Sequence, residues 1–219
     1  MRTLTAFAAA WLIGSGLALA QTPESPGAPR GDVHFVVGWQ NIRQDQPQDH
    51  YNDWINGIFY GGAGAGWHWT EHLKTQVDVG AGTRGHQYSY RQITINGLPA
   101  SESYNTRLQQ TSVAVSQQYQ FFRNQWFHPR LGIGVDIARE STVREYAPVF
   151  TFDSVNRISR QVSPGRTEGP DHRIVARPFG ELGFKAYMTR RSFFTTDARI
   201  MVRGGIDEVL FRFGFGVDF

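Results

Sequence analysis

The chain contains no cysteine. That excludes a disulfide framework, a thiolate nucleophile and any cysteine-ligated metal. Beyond residue 20 it lacks an apolar run long enough for a membrane-spanning helix, and helical periodicity is absent from the same stretch. Charge of one sign is scarce as well. The net charge is +3 with the arginines dispersed, so a basic strip for nucleic acid is not expected. Mean hydropathy is negative, and taken alone it would describe a soluble protein. What the chain does have is 24 glycines and 14% aromatic residues, a composition that suits strands and turns.

The first twenty residues, MRTLTAFAAAWLIGSGLALA, hold one early charge, Arg2, then an apolar stretch ending at Ala18-Leu19-Ala20. This is the layout of a secretory signal with a small-residue cleavage site, so residues 1–20 are expected to be removed on export. Gln21 to Arg30 carries three prolines and reads as an extended leader. Residues 31–219 are then expected to form one domain with a real interior.

Period-two alternation recurs eight times along that domain, the signal for half-buried strands. The first stretch sets Val33, Phe35, Val37 and Trp39 on one face, and the third sets Leu73, Val77 and Val79 against Lys74, Gln76 and Asp78. The last, EVLFRFGFGVDF, alternates Val209, Phe211, Phe213, Phe215, Val217 and Phe219 with Leu210, Arg212, Gly214, Gly216 and Asp218. Tight connections at Thr70–Leu73, Arg123–Trp126 and Thr189–Ser192 alternate with long ones near Asn41–Asn56, Ile93–Tyr104 and Glu140–Asp171. Short turns on one rim and long loops on the other fit a transmembrane barrel of even strand number.

Alternation does not say which face is the core. A soluble eight-stranded barrel turns its apolar face inward, whereas a membrane barrel turns it outward. Glycines 80, 82, 132, 134, 214 and 216 lie on the polar face, as packing in a narrow interior requires. Rings gather on the apolar face near the short-turn rim: Trp67, Trp69, Tyr119, Phe121, Trp126, Phe127, Phe193 or Phe194, and Phe219. An interfacial aromatic girdle has that placement.

With this terminal strand and its final Phe219, the chain resembles the small outer-membrane β-barrel proteins of the OmpA- and OmpX-like group from about Gly31 onward. The resemblance implies an all-β, eight-stranded antiparallel up-and-down transmembrane β-barrel in a Gram-negative outer membrane. It also implies that Phe215, Val217 and Phe219 form the signal read by the barrel-assembly machinery.

One face parity sends Asp78, Arg130, Asp136, Arg173, Arg177, Glu181, Lys185, Asp197, Arg199 and Arg212 inward as an expected lumen ion network, with Lys74, Arg84, Arg203 and Asp218 beside them. That makes nine basic and five acidic side chains, and Glu181 and Asp197 are each expected to meet an arginine, whose planar fork suits carboxylates. His34, His68, His86 and His128 share the parity but fall on different strands, and no HExxH or calcium-loop pattern occurs. No metal or cofactor is expected. His86 and Ser89 should point to opposite faces, and nothing else marks a hydrolase, so catalysis is not expected either. The hairpin around Asn96-Gly97 is too long to stay within a bilayer, and APVFTF at residues 147–152 should form a second projecting hairpin. These features point to a monomer surrounded by outer-membrane lipid, with a structural or adhesion-like role and a surface protein or host ligand met through the loops. The alternatives are a narrow small-solute channel and a lipid A-modifying enzyme.

Overall fold

The computed structural model describes residues 30–43, 54–95, 97–121, 126–153 and 157–219. The expected signal peptide and most of the leader lie outside the described residues. Every regular element among those described is a strand: β1 (Gly31–Arg43), β2 (Trp54–His68), β3 (Leu73–Gly82), β4 (Gly85–Ile95), β5 (Leu98–Gln120), β6 (Phe127–Tyr146), β7 (Val149–Asp153), β8 (Ile158–Ser163), β9 (Arg166–Tyr187), β10 (Ser192–Val202) and β11 (Ile206–Asp218).

Hydrogen bonding runs β3-β2-β1-β11-β10-β9-β6-β5, and β3 also pairs with β5, which closes a ring of eight antiparallel strands. The seam joins the two ends of the chain. Asp32 lies opposite Asp218 and Gln40 opposite Leu210, and the Phe219 amide donates to the Gly31 carbonyl at 2.9 Å. Two glycines let the seam close. A Cβ on Gly38 would stand 1.9 Å from the Phe211 carbonyl oxygen, and one on Gly214 would stand 1.9 Å from that of Phe35, far inside van der Waals contact.

β4, β5 and the far ends of β6 and β9 continue beyond the ring, and β7 pairs only with β8 as a separate hairpin. The APVFTF stretch therefore does form a hairpin strand. β5 runs without a break beside both β3 and β4. Between those two, Thr83 and Arg84 step out of the ladder, and Thr83 exchanges hydrogen bonds with the Phe59 backbone at 2.7 and 3.0 Å. This step reverses the side-chain alternation. Even-numbered residues of β3 face inward up to Gly82, and odd-numbered ones of β4 from Gly85 to Ser89. Arg84 and His86, expected inside, are exposed for that reason.

The outer surface carries large apolar side chains with no protein cover. Phe35 is 72% exposed, and Trp39, Val79, Ile133, Ile137, Phe211 and Phe215 are exposed on neighbouring strands. Near the short-turn rim, rings of Trp126, Phe127, Phe184, Phe194 and Phe215 follow one another at centroid distances of 5.9, 5.0, 6.4 and 5.6 Å across four strands. Phe194 is the outward member of its pair, and Phe193 is buried inside. Trp69 donates its indole N–H to Thr75 at 2.7 Å, the half-wet, half-apolar environment that interfacial tryptophans occupy. A continuous apolar surface of this extent is incompatible with water and suits lipid.

Candidate functional site

The inward residues fall into levels, and each level is built from several strands. At the short-turn end, Asp32 and Asp218 face each other across the seam, an arrangement that like charges disfavour. Lys185 of β9 resolves it by donating to Asp32 at 2.6 Å and to Asp218 at 3.2 Å. Lys74 of β3 reaches the same Asp32 oxygen at 2.7 Å, Tyr187 donates its hydroxyl to Asp218, and the Lys185 ammonium lies 4.0 Å above the Phe193 ring. Ligand atoms of Asp32, His68 and Asp218 lie within 4.8 Å of one another. The two ammonium groups on Asp32 already supply its positive charge and would repel a cation there.

The next level crosses the whole interior. Asp197 of β10 accepts from Arg212 at 2.9 Å and from Arg130 at 2.8 Å. Asp78 of β3 takes Arg199, Arg212 at 3.3 Å and His34 at 2.9 Å. Arg199 also donates to Glu181 at 2.9 Å. Glu181 and Asp197 thus each meet an arginine. Above them an apolar layer of Val36, Tyr60, Ala114, Phe179, Met201 and Leu210 fills the section, with Tyr60 lying where a Cβ on Gly80 would be 1.9 Å from its hydroxyl.

Beyond that layer, Arg177 is held by Glu140, by Asp207 at 2.9 Å and by Glu208 at 3.2 Å, and Asp136 is its cross-strand neighbour. Gln40 and Gln110 donate to Glu208 at 2.6 and 3.2 Å. Arg173 reaches Glu140 and Arg203 reaches Asp207, but both arginines are partly exposed at the rim.

The expected balance of charge is reversed. Among the described residues, six lysines and arginines are buried (Lys74, Arg130, Arg177, Lys185, Arg199 and Arg212), against ten carboxylates, with Glu102 of the projecting sheet among them. Arg84, Arg173 and Arg203 leave the interior, while Asp32, Glu140, Asp207 and Glu208 join it. Glu140, expected at the start of a long connection, lies within β6. A bulge where Met201 and Val202 pair with Glu208 and Ile206 turns both Asp207 and Glu208 inward. Continuing the even parity from Arg212 and Asp136 would have found Glu208 and Glu140. His34 and His128 are buried as expected, whereas His86 faces out and the neighbouring Ser89 faces in.

Outside the ring, the inner side of the projecting sheet carries a second ionic cluster. Glu102 accepts from Arg91 at 2.8 Å and Arg166 at 2.6 Å, Arg166 also donates to Glu168 at 3.0 Å, and its guanidinium lies 3.9 Å over the Tyr146 ring. Burial alone would raise the Glu102 carboxyl, but hydrogen bonds from Arg166 and Arg91 outweigh it and hold the group below its ordinary value. Phe215, Val217 and Phe219 of the terminal strand are exposed on the outer surface.

No protein-family model and no curated protein sequence matches the chain. Among solved structures, Neisserial surface protein A superposes with a TM-score of 0.52 at 13% identity, covering 86% of this chain and 97% of its own. The outer membrane protein OprG of Pseudomonas aeruginosa gives 0.49 at 13% identity, covering 90% and 99%. Ail of Yersinia pestis gives 0.48 at 8%, covering 87% and 99%. The closed ring, its apolar outer belt and the superposition on Neisserial surface protein A agree: in fold, this chain is one of the small eight-stranded outer-membrane β-barrels.

Proposed function

We propose that the protein is an outer-membrane barrel with a filled, non-conducting interior, and that it acts structurally or in adhesion through the sheet projecting from its long-loop rim. One observation carries the reading. Ion pairs cross the interior from strand to distant strand, as Arg199 of β10 joins Asp78 of β3 while also holding Glu181 of the adjacent β9. An eight-stranded barrel leaves room for little beyond such side chains. Each charge so buried needs its partner, so opening a water path would cost several ion pairs together.

On this reading lipid covers the belt around Phe35 and Phe215, and the assembly machinery reads the terminal strand through Phe215, Val217 and Phe219. The projecting sheet offers exposed Tyr88, and the separate β7–β8 hairpin exposed Phe150 and Phe152, to a surface or host protein. Planar-bilayer recording tests the closed interior. The purified barrel should insert without steady single-channel current, and reproducible unitary conductance would favour the narrow conduit instead. The adhesive role is tested by displaying the protein on cells. Trimming the β4–β5 hairpin should abolish attachment to immobilised host glycoprotein, and unchanged attachment would refute it.

A further inference from the structure

The outward face of β3 to β6 changes character abruptly at the long-loop edge of the belt. Val79, Val113 and Ile137 form one cross-strand row, and Ala81, Thr111 and Arg139 form the next. Arg139 thus stands directly above an aliphatic column of Leu131, Ile133, Val135 and Ile137, and it is exposed. Arg84, turned out by the interruption between β3 and β4, is exposed as well. Neither guanidinium has a hydrogen bond or ion pair with a described residue. By contrast, Arg107 on the same face is matched by Glu145 at 2.7 Å. Two aromatic rings stand farther out on this face: Tyr88 is 71% and Tyr90 57% exposed, two residues apart on β4.

Unmatched guanidinium groups at the boundary of a hydrocarbon belt attract anionic headgroups, each strengthening attachment roughly fivefold. Their planar forks suit phosphate oxygens. Exposed tyrosines just beyond offer flat, half-polar surfaces to a sugar ring. We propose that this face binds a phosphorylated glycolipid of the surrounding leaflet, with Arg84 and Arg139 taking its phosphates and Tyr88 and Tyr90 its sugars. The proposal rests on the membrane placement argued above.

The test uses the full-length barrel in detergent, with lipid A, lipid A stripped of its phosphates, and phosphatidylglycerol as probes in native mass spectrometry. Lipid A should bind more tightly than either other lipid. Arg84→Gln with Arg139→Gln should weaken it by about twentyfold, and Tyr88→Ala with Tyr90→Ala should weaken lipid A while leaving phosphatidylglycerol unchanged. Arg190→Gln with Arg191→Gln, exposed on the opposite rim, should leave lipid A binding as it was. Equal binding of lipid A and phosphatidylglycerol, or full retention by the double arginine variant, overturns the proposal while the membrane barrel stands. A protein that stays monomeric in water without detergent overturns both.

Discussion

Two sets of ion pairs in this molecule use the same chemistry in opposite surroundings. Inside the ring, Arg177 is 0% exposed and bound by Glu140, Asp207 and Glu208. In the projecting sheet, Arg166 bridges Glu102 and Glu168 while remaining 39% exposed. A buried charge that loses its partner has nowhere to find another, whereas an exposed one turns to water. The interior pairs should therefore govern whether the barrel holds together. The outer pairs should govern only how firmly the extension is ordered.

The largest effect should come from Asp197→Ala. It strands Arg130 in the interior, leaves Arg212 with Asp78 alone and should cost about 3–5 kcal/mol, seen as a drop in the temperature at which the compact band converts on heat-modifiable gels. Retained heat resistance would mean these arginines are hydrated, and the contrast between the two regions would fail.

Lys185→Met should come close behind, because Asp32 and Asp218 would then face each other without the ammonium that bridges them, leaving Lys74 on Asp32 alone. Amide exchange should quicken first along β1 and β11. Uniform quickening around the ring would show that the seam has no special dependence on Lys185. Glu181→Ala should cost less, about 1–3 kcal/mol, since Arg199 keeps Asp78.

In the projecting sheet the expected effects are smaller. Glu102 titrates below its unfolded value of about 4.3, held down by Arg166 and Arg91 against its burial. Its contribution is fully present above that unfolded value and is lost as pH falls through the lower folded value. Exchange protection of the β4–β5 hairpin should therefore be level from neutral pH to about 4.5 and fall below that. Glu102→Gln should remove the fall, and an unchanged profile would assign it to another group. Last comes Arg107→Ala, which breaks a half-exposed pair with Glu145 and should shift stability by no more than about 1 kcal/mol.

The division between the two faces was legible in the sequence because strand alternation has a period of two and the ring keeps one face to the interior. Val33, Phe35, Val37 and Trp39 turn outward, and Asp78, Arg130, Asp136, Arg177, Glu181, Lys185, Asp197, Arg199 and Arg212 turn inward, as the period requires. Legibility ended wherever the period slipped. Thr83 and Arg84 leave the ladder and carry His86 with them to the outside, and the bulge near Val202 sends two consecutive carboxylates inside. Neither slip has a strong sequence mark, since both arise from how neighbouring strands must bend to close a ring. The pairing of charges was less legible still. Arg199 and Asp78 are 121 positions apart, and only closure of the ring brings β10 opposite β3. The acidic excess of the interior is not legible because Glu140 sits where strand and loop look alike in sequence and Asp207 turns inward only through the bulge.

An orientation in which alternating apolar residues meet lipid while their sequence neighbours are sealed within can be read residue by residue, because the chain has no native cysteine. Val115 is exposed outward on β5, and Ser116 beside it is buried inside. A fluorophore attached to Val115→Cys in reconstituted membranes should be strongly quenched by brominated acyl chains and left untouched by aqueous iodide. Quenching by iodide with no response to brominated lipid would contradict the orientation.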